Sequence, residues 1–466
     1  MSNVSVFEER NIQKAVLTLS LPAMLGQLAT LIYNMADTYF VSLTDDPAQI
    51  AAVTLCTPIL LIIMSIASVF GMGGSSVIAR MLGEKNMRDA KTCVTFCAYA
   101  MAAAGILVLA IGLPLMRSIA ALAGADAENM AYTCDYFRWI LLGAPFIILA
   151  NGFVHIFRST GLIKEATVGV VLGNAVNIVF DWLFIVRMHM GTAGAAAATS
   201  FGFFCATVYY LACILRASAD SELFDLSPRA FRPTGSLTGE VLKIGIPGAL
   251  ITVMLSVSNI VLNNYVGLYG SNAVAAYGIA YKVDMFPIML SVGLTQGVAP
   301  LIGYCSGAKQ GERLNKAMRV SSLDGILLGA AFTAAFLAFG STFTAFFLRE
   351  SALIEQSALF LRIMCLSAPM LGIINMVTAY YQALGAAARS LFITLLRNVV
   401  LFIPSVILLN RIAGLNGAIA AQPVVETVLA AICIVMYLRS RRSSERVVDM
   451  QCGTVRSASV QQDLHP

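Results

Sequence analysis

Long apolar runs, broken by short polar segments, recur along this chain from residue 15 to residue 438. Each reaches about 20 residues, enough for a helix to cross the hydrocarbon core of a bilayer. In lipid the backbone must satisfy its own polar groups, which leaves helices or a closed barrel. Alternation with a period of two is absent and the runs are longer than barrel strands, so the pattern predicts helices. Twelve spans are expected, at 15–42, 50–79, 91–113, 134–157, 164–186, 192–216, 239–266, 274–303, 318–345, 357–382, 387–409 and 415–438.

The second six spans echo the first six. Leu19-Ser20-Leu21-Pro22 lines up with Ile244-Gly245-Ile246-Pro247, and Ile50-Ala51-Ala52-Val53 with Val274-Ala275-Ala276-Tyr277. The stretch from Gly73 to Gly83 matches that from Gly297 to Gly307, and Ala144-Pro145 matches Ala368-Pro369. Arg158 to Gly161 pairs with Gln382 to Gly385, and Gly191 to Gly194 with Gly414 to Gly417. The shift between partners is nearly constant, which chance does not maintain over six landmarks. An even number of spans per half makes both halves enter from one side, a parallel repeat about an axis along the membrane normal. The expected fold is therefore an all-α integral membrane protein with twelve transmembrane helices in two six-helix lobes. Its parts are a first lobe over 1–216, a polar cytoplasmic linker over 217–238, a second lobe over 239–438 and a basic tail over 439–466.

Composition agrees: 58% of residues are hydrophobic and only 12% charged, against about 25% charged in soluble domains. Residues 1–14 lack the basic n-region and cleavage site of a secretory signal, so the first span is expected to remain in the mature protein. The ten cysteines are scattered in apolar runs. Cys93 and Cys97 sit a turn apart without further ligands nearby, so they read as small buried apolar residues. The net charge of +5 is unevenly placed. Arg80, Lys85, Arg88 and Lys91, then Arg216, Arg229, Arg232 and Lys243, then Lys309, Arg313, Lys316 and Arg319 lie on the side of the termini, with the basic tail. The opposite connections hold only Arg117, Arg187, Arg349 and Arg411. The positive-inside rule makes both termini cytoplasmic. The excess positive charge is thus explained by topology, and no nucleic-acid partner is expected.

Polar residues at membrane depth carry the candidate chemistry. The first span holds Gln27, Thr30, Asn34, Asp37 and Thr38 on one face, and the fifth holds Asn174, Asn177 and Asp181 on another. A carboxylate pair in a low-dielectric cavity can take up a proton, or with amide and hydroxyl oxygens can replace the water around a hard cation. In the second half Leu262 and Ser405 stand where Asp37 and Asp181 stand in the first. Coupling chemistry is therefore expected in the first lobe. Both lobes can line a central cleft, the second through Ser256, Asn259, Asn263, Asn375 and Gln382. Lys282 and Asp284 read as a local ion pair or as part of the transport pathway, Glu426 as a hydrogen-bonded structural group, Asp324 as water-facing, and His155 as structural rather than a proton relay. Gly71-Met72-Gly73-Gly74-Ser75 lacks the lysine and the strand–helix setting of a phosphate loop, and no nucleophile–base set is visible. No enzymatic activity and no organic cofactor are expected.

These residues resemble the multidrug and toxic compound extrusion (MATE) transporters over nearly the whole chain. The resemblance rests on the Pro22 to Asp37 spacing and on Val77-Ile78-Ala79-Arg80-Met81-Leu82-Gly83. Phe157-Arg158-Ser159-Thr160-Gly161, and Asn177 and Asp181 followed by Thr199, add to it. It implies secondary active efflux of amphipathic, cationic organic molecules in exchange for H+ or Na+. It also implies a first-lobe cation site, for Na+ or H+, matched here by Asp37, Asn177, Asp181 and Thr199, and a location in the cytoplasmic (inner) membrane. No acidic residue stands at the seventh-span position around Leu255 and Ser256, and the tenth span has none, which resembles the DinF-like and MepA-like branches more than the NorM-like branch. The rival expectation is a lipid-linked precursor flippase of related fold; such proteins place several basic residues in the cleft, where this chain offers chiefly Lys282. A monomer surrounded by lipid is expected.

Overall fold

The computed structural model describes residues 3–44, 46–127, 129–220, 223–225, 227, 235–347 and 350–462, with backbone only at 442–462 and at a few other helical positions. The first half contains α1 (Ile12–Ser42), α2 (Pro47–Gly83), α3 (Met87–Leu122), α4 (Met130–Ser159), α5 (Ile163–Asp181) and α6 (Gly191–Asp220). The second contains α7 (Gly235–Gly267), α8 (Ser271–Gly307) and α9 (Gly311–Ala345). Its tenth span is made of α10 (Ser351–Met364) and α11 (Ala368–Ala383), and its last two of α12 (Ala387–Leu395) and α13 (Phe402–Gln462). Ten helical runs among the described residues are long and apolar enough to cross a membrane. The last of them, Ala387–Arg441, turns sharply at Ala413 and Gly414 and so makes two spans. The 33-residue α7 completes the twelve. The helices outrun the apolar runs because capped, polar turns extend them into the interface. Asn11, Asp46 and Asn86 each accept a hydrogen bond from a backbone N–H in the first turn of α1, α2 and α3.

The repeat reappears in the turns. Lys85 and Lys309, non-glycine residues at matching positions, have φ of 61° and 54°. Gly161 and Gly385 follow at 83° and 75°, and Gly191 and Gly414 at 57° and 59°. Left-handed backbone at matched sites in both halves is a shape the helical pattern alone does not dictate.

Buried apolar side chains form two clusters. The larger fills the first lobe and runs on into the second through Val298, Leu301 and Ile302. The smaller, around Val266, Phe360 and Ile419, lies within the second lobe. The lobes thus merge on one side, where α1 and α7 begin and α2 and α8 end. Glycines allow that closeness. A Cβ on Gly245 would strike the Val69 carbonyl, and one on Gly297 would strike Ser20 and the Leu19 backbone. Gly73 backs on to Val241 and Gly245, and Gly307 on to Arg80. Small residues at helix crossings admit this approach of backbones. Polar links bridge the same seam. The Ser76 hydroxyl donates to the Gln382 carbonyl at 2.7 Å, Tyr304 donates to Glu8 at 2.8 Å, and Arg313 donates to the Phe7 and Glu9 carbonyls.

Between the lobes the linker is partly anchored: Leu223 and Phe224 are buried, and Phe224 lies 5.8 Å from Phe157. Residues 228–234 of the expected linker, and the side chains of Arg442, Arg446 and Arg456 in the expected basic tail, fall outside the described residues.

Candidate functional site

Asn177 and Asp181 lie one turn apart on α5 and share a face. Beyond Asp181 the helix widens into a π-turn, Trp182–Arg187, a distortion frequent near functional groups. Opposite, Gly202 of α6 packs on Gly173 and Asn177, and this brings Thr199 to the α5 face. Asp181, Asn177 and Thr199 are all buried. The Asn177 amide nitrogen donates to the Thr199 hydroxyl at 3.2 Å. That bond leaves the Asn177 carbonyl oxygen and both Asp181 carboxylate oxygens without a hydrogen-bond partner. Asp37 of α1 is half-buried and is the electrostatic neighbour of Asp181. The structure therefore brings Asp37, Asn177, Asp181 and Thr199 together. Buried acceptors without donors are unfavourable, and an oxygen-rich set of this kind suits a proton or a small hard cation.

Two tyrosines complete the site and were not anticipated. Tyr33, one turn before Asp37, reaches Thr199, and Tyr136 of α4 faces both carboxylates. The spacing of Tyr33 to Asp37 is the one sequence signal that could have found it.

A cavity of about 430 Å3 opens beside this set. Gln27, Thr30, Asn34, Asn174, Asn177 and Thr199 line it, and the Asn174 amide donates to Thr30 at 3.2 Å. Toward the seam it is bounded by His155, Arg158 and Gln296. Gln296, from the second lobe, accepts from Gln27 at 2.9 Å and from the Arg158 guanidinium. A second cavity, of about 440 Å3, lies between the lobes and is lined by Asn34, Thr38, Asn259, Asn263, Tyr281 and Lys282. Of the other cleft candidates, Asn375 donates to Ser291 at 3.1 Å and lines neither cavity. Gln382 sits at the seam beside a pocket of about 80 Å3, and the Ser256 side chain falls outside the described residues.

Two expectations about charges change. Lys282 and Asp284 do not pair: Lys282 faces the interlobe cavity, while Asp284 is buried on the other side of α8. Residues two apart on a helix do not face each other. Glu426 is hydrogen-bonded, as expected, and its donor is the charged Arg397, at 2.9 and 2.5 Å. Basic groups at membrane depth also include Arg158, Arg362 and Arg397 beside Lys282. As for the remaining two, Asp324 accepts from Gln13 at 3.1 Å, and His155 lines both the large cavity and the small seam pocket.

Two lobes of six helices, joined along one face and enclosing polar cavities at membrane depth, define a multi-pass membrane transporter. The sequence model of the MatE family matches this chain twice, over residues 22–183 and 247–408, one match per lobe. The chain belongs to the MatE (MATE) family. The multidrug export protein MepA of Staphylococcus aureus strain MRSA252 is 30% identical over 437 residues, 93% of this chain and 96% of that protein. MepA of Staphylococcus haemolyticus strain JCSC1435 is 29% identical, covering 94% and 97%. The crystal structure of a MATE protein in complex with MaL6 superposes with a TM-score of 0.91 at 24% identity, covering 96% of this chain and all of that one. A MOP-superfamily transporter from Pyrococcus furiosus superposes at 0.88 and 25% identity, covering 95% and 98%.

Proposed function

We propose that this protein is a multidrug exporter that moves amphipathic organic molecules out of the cell in exchange for H+ or Na+. The observation that carries the reading is the donor-poor oxygen set of Asp181 and Asn177, buried beside Asp37 at the edge of a ligand-sized cavity. The names of the MepA relatives support the multidrug class. The face that carries the termini also bears the basic connections and is taken as cytoplasmic. The glycine seam then closes the cytoplasmic side, and the interlobe cavity belongs to an outward-facing state.

In this state a cation enters from outside and binds Asp37, Asp181, Asn177 and Thr199. The cation is cargo, and its charge cancels part of the pair's mutual repulsion. Repacking of α1 against α5 then narrows the polar cavity lined by Gln27, Asn34 and Asn174, and the organic molecule is released. A ligand shifts such an equilibrium only by its different affinity for the two states. A protein held in one state by its seam, with its cation site on α1, meets that requirement because α1 contributes to both.

Efflux of a fluorescent organic cation from everted vesicles, driven separately by a proton gradient and by a sodium gradient, tests the proposal. Asp37→Asn and Asp181→Asn are expected to abolish exchange under whichever gradient drives the parent protein. Parental rates in both variants would overturn it. The flippase alternative draws no comparable support: Arg158, the charged group bounding the first-lobe cavity, is held by Gln296, and the other polar groups there are amides, hydroxyls and the His155 imidazole.

A further inference from the structure

The second lobe holds a group of charges that the exchange reading leaves unused. Arg397, in the π-turn Leu396–Leu401, donates through Nε at 2.9 Å and through a terminal nitrogen at 2.5 Å to the same Glu426 oxygen. The other Glu426 oxygen has no partner. Asp284 of α8 is 1% exposed, both of its oxygens lack a partner, and Glu426 is its charged neighbour. Around it stand Tyr277 and Tyr281 of α8 and Cys365 between α10 and α11, while Cys433 of α13 flanks Arg397 and Glu426. Arg362 of α10 lies near Cys365 and turns toward Gly340 of α9. On the α7 side Ser258 donates to the Asn398 carbonyl at 2.8 Å, and Asn259 is a hydrogen-bond partner of Tyr281; both are neutral.

The Arg397 guanidinium is taken up by Glu426, and both Asp284 oxygens are left without a partner. A pair neutralises one charge, and the second carboxylate is left in a low-dielectric interior at a cost of several kcal/mol unless a cation joins it. The guanidinium repels a metal ion, and thiol and phenol neighbours are poor substitutes for a cage of hard oxygens. A proton satisfies the site without ligands.

We propose that Asp284, with the Arg397–Glu426 pair, forms a proton-binding site in the second lobe, separate from the first-lobe cation site. The proton comes from water and bonds to one Asp284 oxygen; no other bond forms or breaks. Tyr281 links the site to transport, because it both neighbours Asp284 and lines the interlobe cavity. Proton occupancy of Asp284 thus sets the charge behind the cavity wall.

The test is infrared difference spectroscopy of the purified full chain during pH steps across roughly pH 5 to 9, a range in which buried carboxyls can exchange protons. It is run in an Asp37→Asn, Asp181→Asn background, so that first-lobe carboxyls are silent. One protonated-carboxyl signal is expected to persist there, to be insensitive to Na+, and to vanish on adding Asp284→Asn. Asp284→Glu, which keeps the acid, should displace the signal instead and covers the case in which the asparagine variant does not fold. In otherwise parental protein, Asp284→Asn should slow exchange about tenfold and flatten its pH dependence. A background spectrum unchanged by Asp284→Asn, a signal removed by Na+, or a parental pH profile in that variant would overturn the proposal. Failure of the first-lobe reading would show separately, as parental efflux in Asp37→Asn and Asp181→Asn.

Discussion

The two lobes run through the same helices in the same order, yet they treat buried charge in opposite ways. In the first lobe, Asn177 lines a cavity of about 430 Å3 one turn from Asp181, and among the described residues neither has a basic partner. In the second, Arg397 and Glu426 clasp each other in the core beside Asp284, and the π-turn of that span carries the arginine itself. Both π-turns occur in matching spans, after Asp181 in α5 and ahead of α13 in the second half. Duplication evidently supplied one scaffold, while the side chains at the widened turns decided whether a lobe presents its charge or locks it away.

The largest effect should come from removing the contrast in the first lobe. Asp181→Asn keeps shape and removes charge, and is expected to lower coupled efflux by about a hundredfold or more, a range that corresponds to roughly 3 kcal/mol of coupling. Vesicle transport assays check this. Breaking the second lobe should act on stability. Arg397→Met leaves the buried Glu426 carboxylate without its counter-charge, and is expected to cost about 3–5 kcal/mol. Thermal unfolding in detergent should show the loss, and Arg397→Met combined with Glu426→Met should recover most of it.

Changes at the seam should act equally from either half. Gly73→Val and Gly297→Val each overpack a backbone crossing by about 1–3 kcal/mol. Each should shift the protein away from the state closed at the termini, which spin-label distances across α2 and α8 would report. Unequal shifts would mean that the seam is not symmetric. The smallest effect is expected outside the membrane. Lys91 lies 2.9 Å from Asp225, and its hydrogen bond holds that carboxyl at about 2. A depressed carboxyl contributes stability above its ordinary value of about 3.9, and loses it as pH falls through about 2. Because both groups are about a third exposed, Lys91→Ala should change neutral-pH stability by less than about 1 kcal/mol.

Much of this was legible in the chain. Apolar run length predicted the spans, and six landmarks predicted the repeat, including turns later seen with matching left-handed backbone at Gly161 and Gly385. Asp37, Asn177, Asp181 and Thr199 could be proposed together because helical spacing puts each pair on one face and a family resemblance joins the faces. Tyr136 was hidden because a tyrosine in an apolar run has no signature among 15 tyrosines and 25 phenylalanines, whereas Tyr33 is marked by its place one turn before Asp37. Arg397 was hidden for another reason: its partner Glu426 sits in a different span, and nothing local marks two residues as facing each other across a lobe. The Lys282–Asp284 expectation failed on geometry that the helix period already contains, since adjacent charges in sequence diverge around the axis.

The glycine seam has a consequence for the speed of the cycle. Where backbone meets backbone, as at Gly245 against Val69 and Gly297 against Leu19, the glycines on one side carry no rotamers to freeze when the lobes meet. Side-chain ordering is a main entropic penalty of bringing surfaces together. A latch lined with hydrogen atoms largely avoids it, so under the proposed exchange the two bundles would part and rejoin with little to reorder each time.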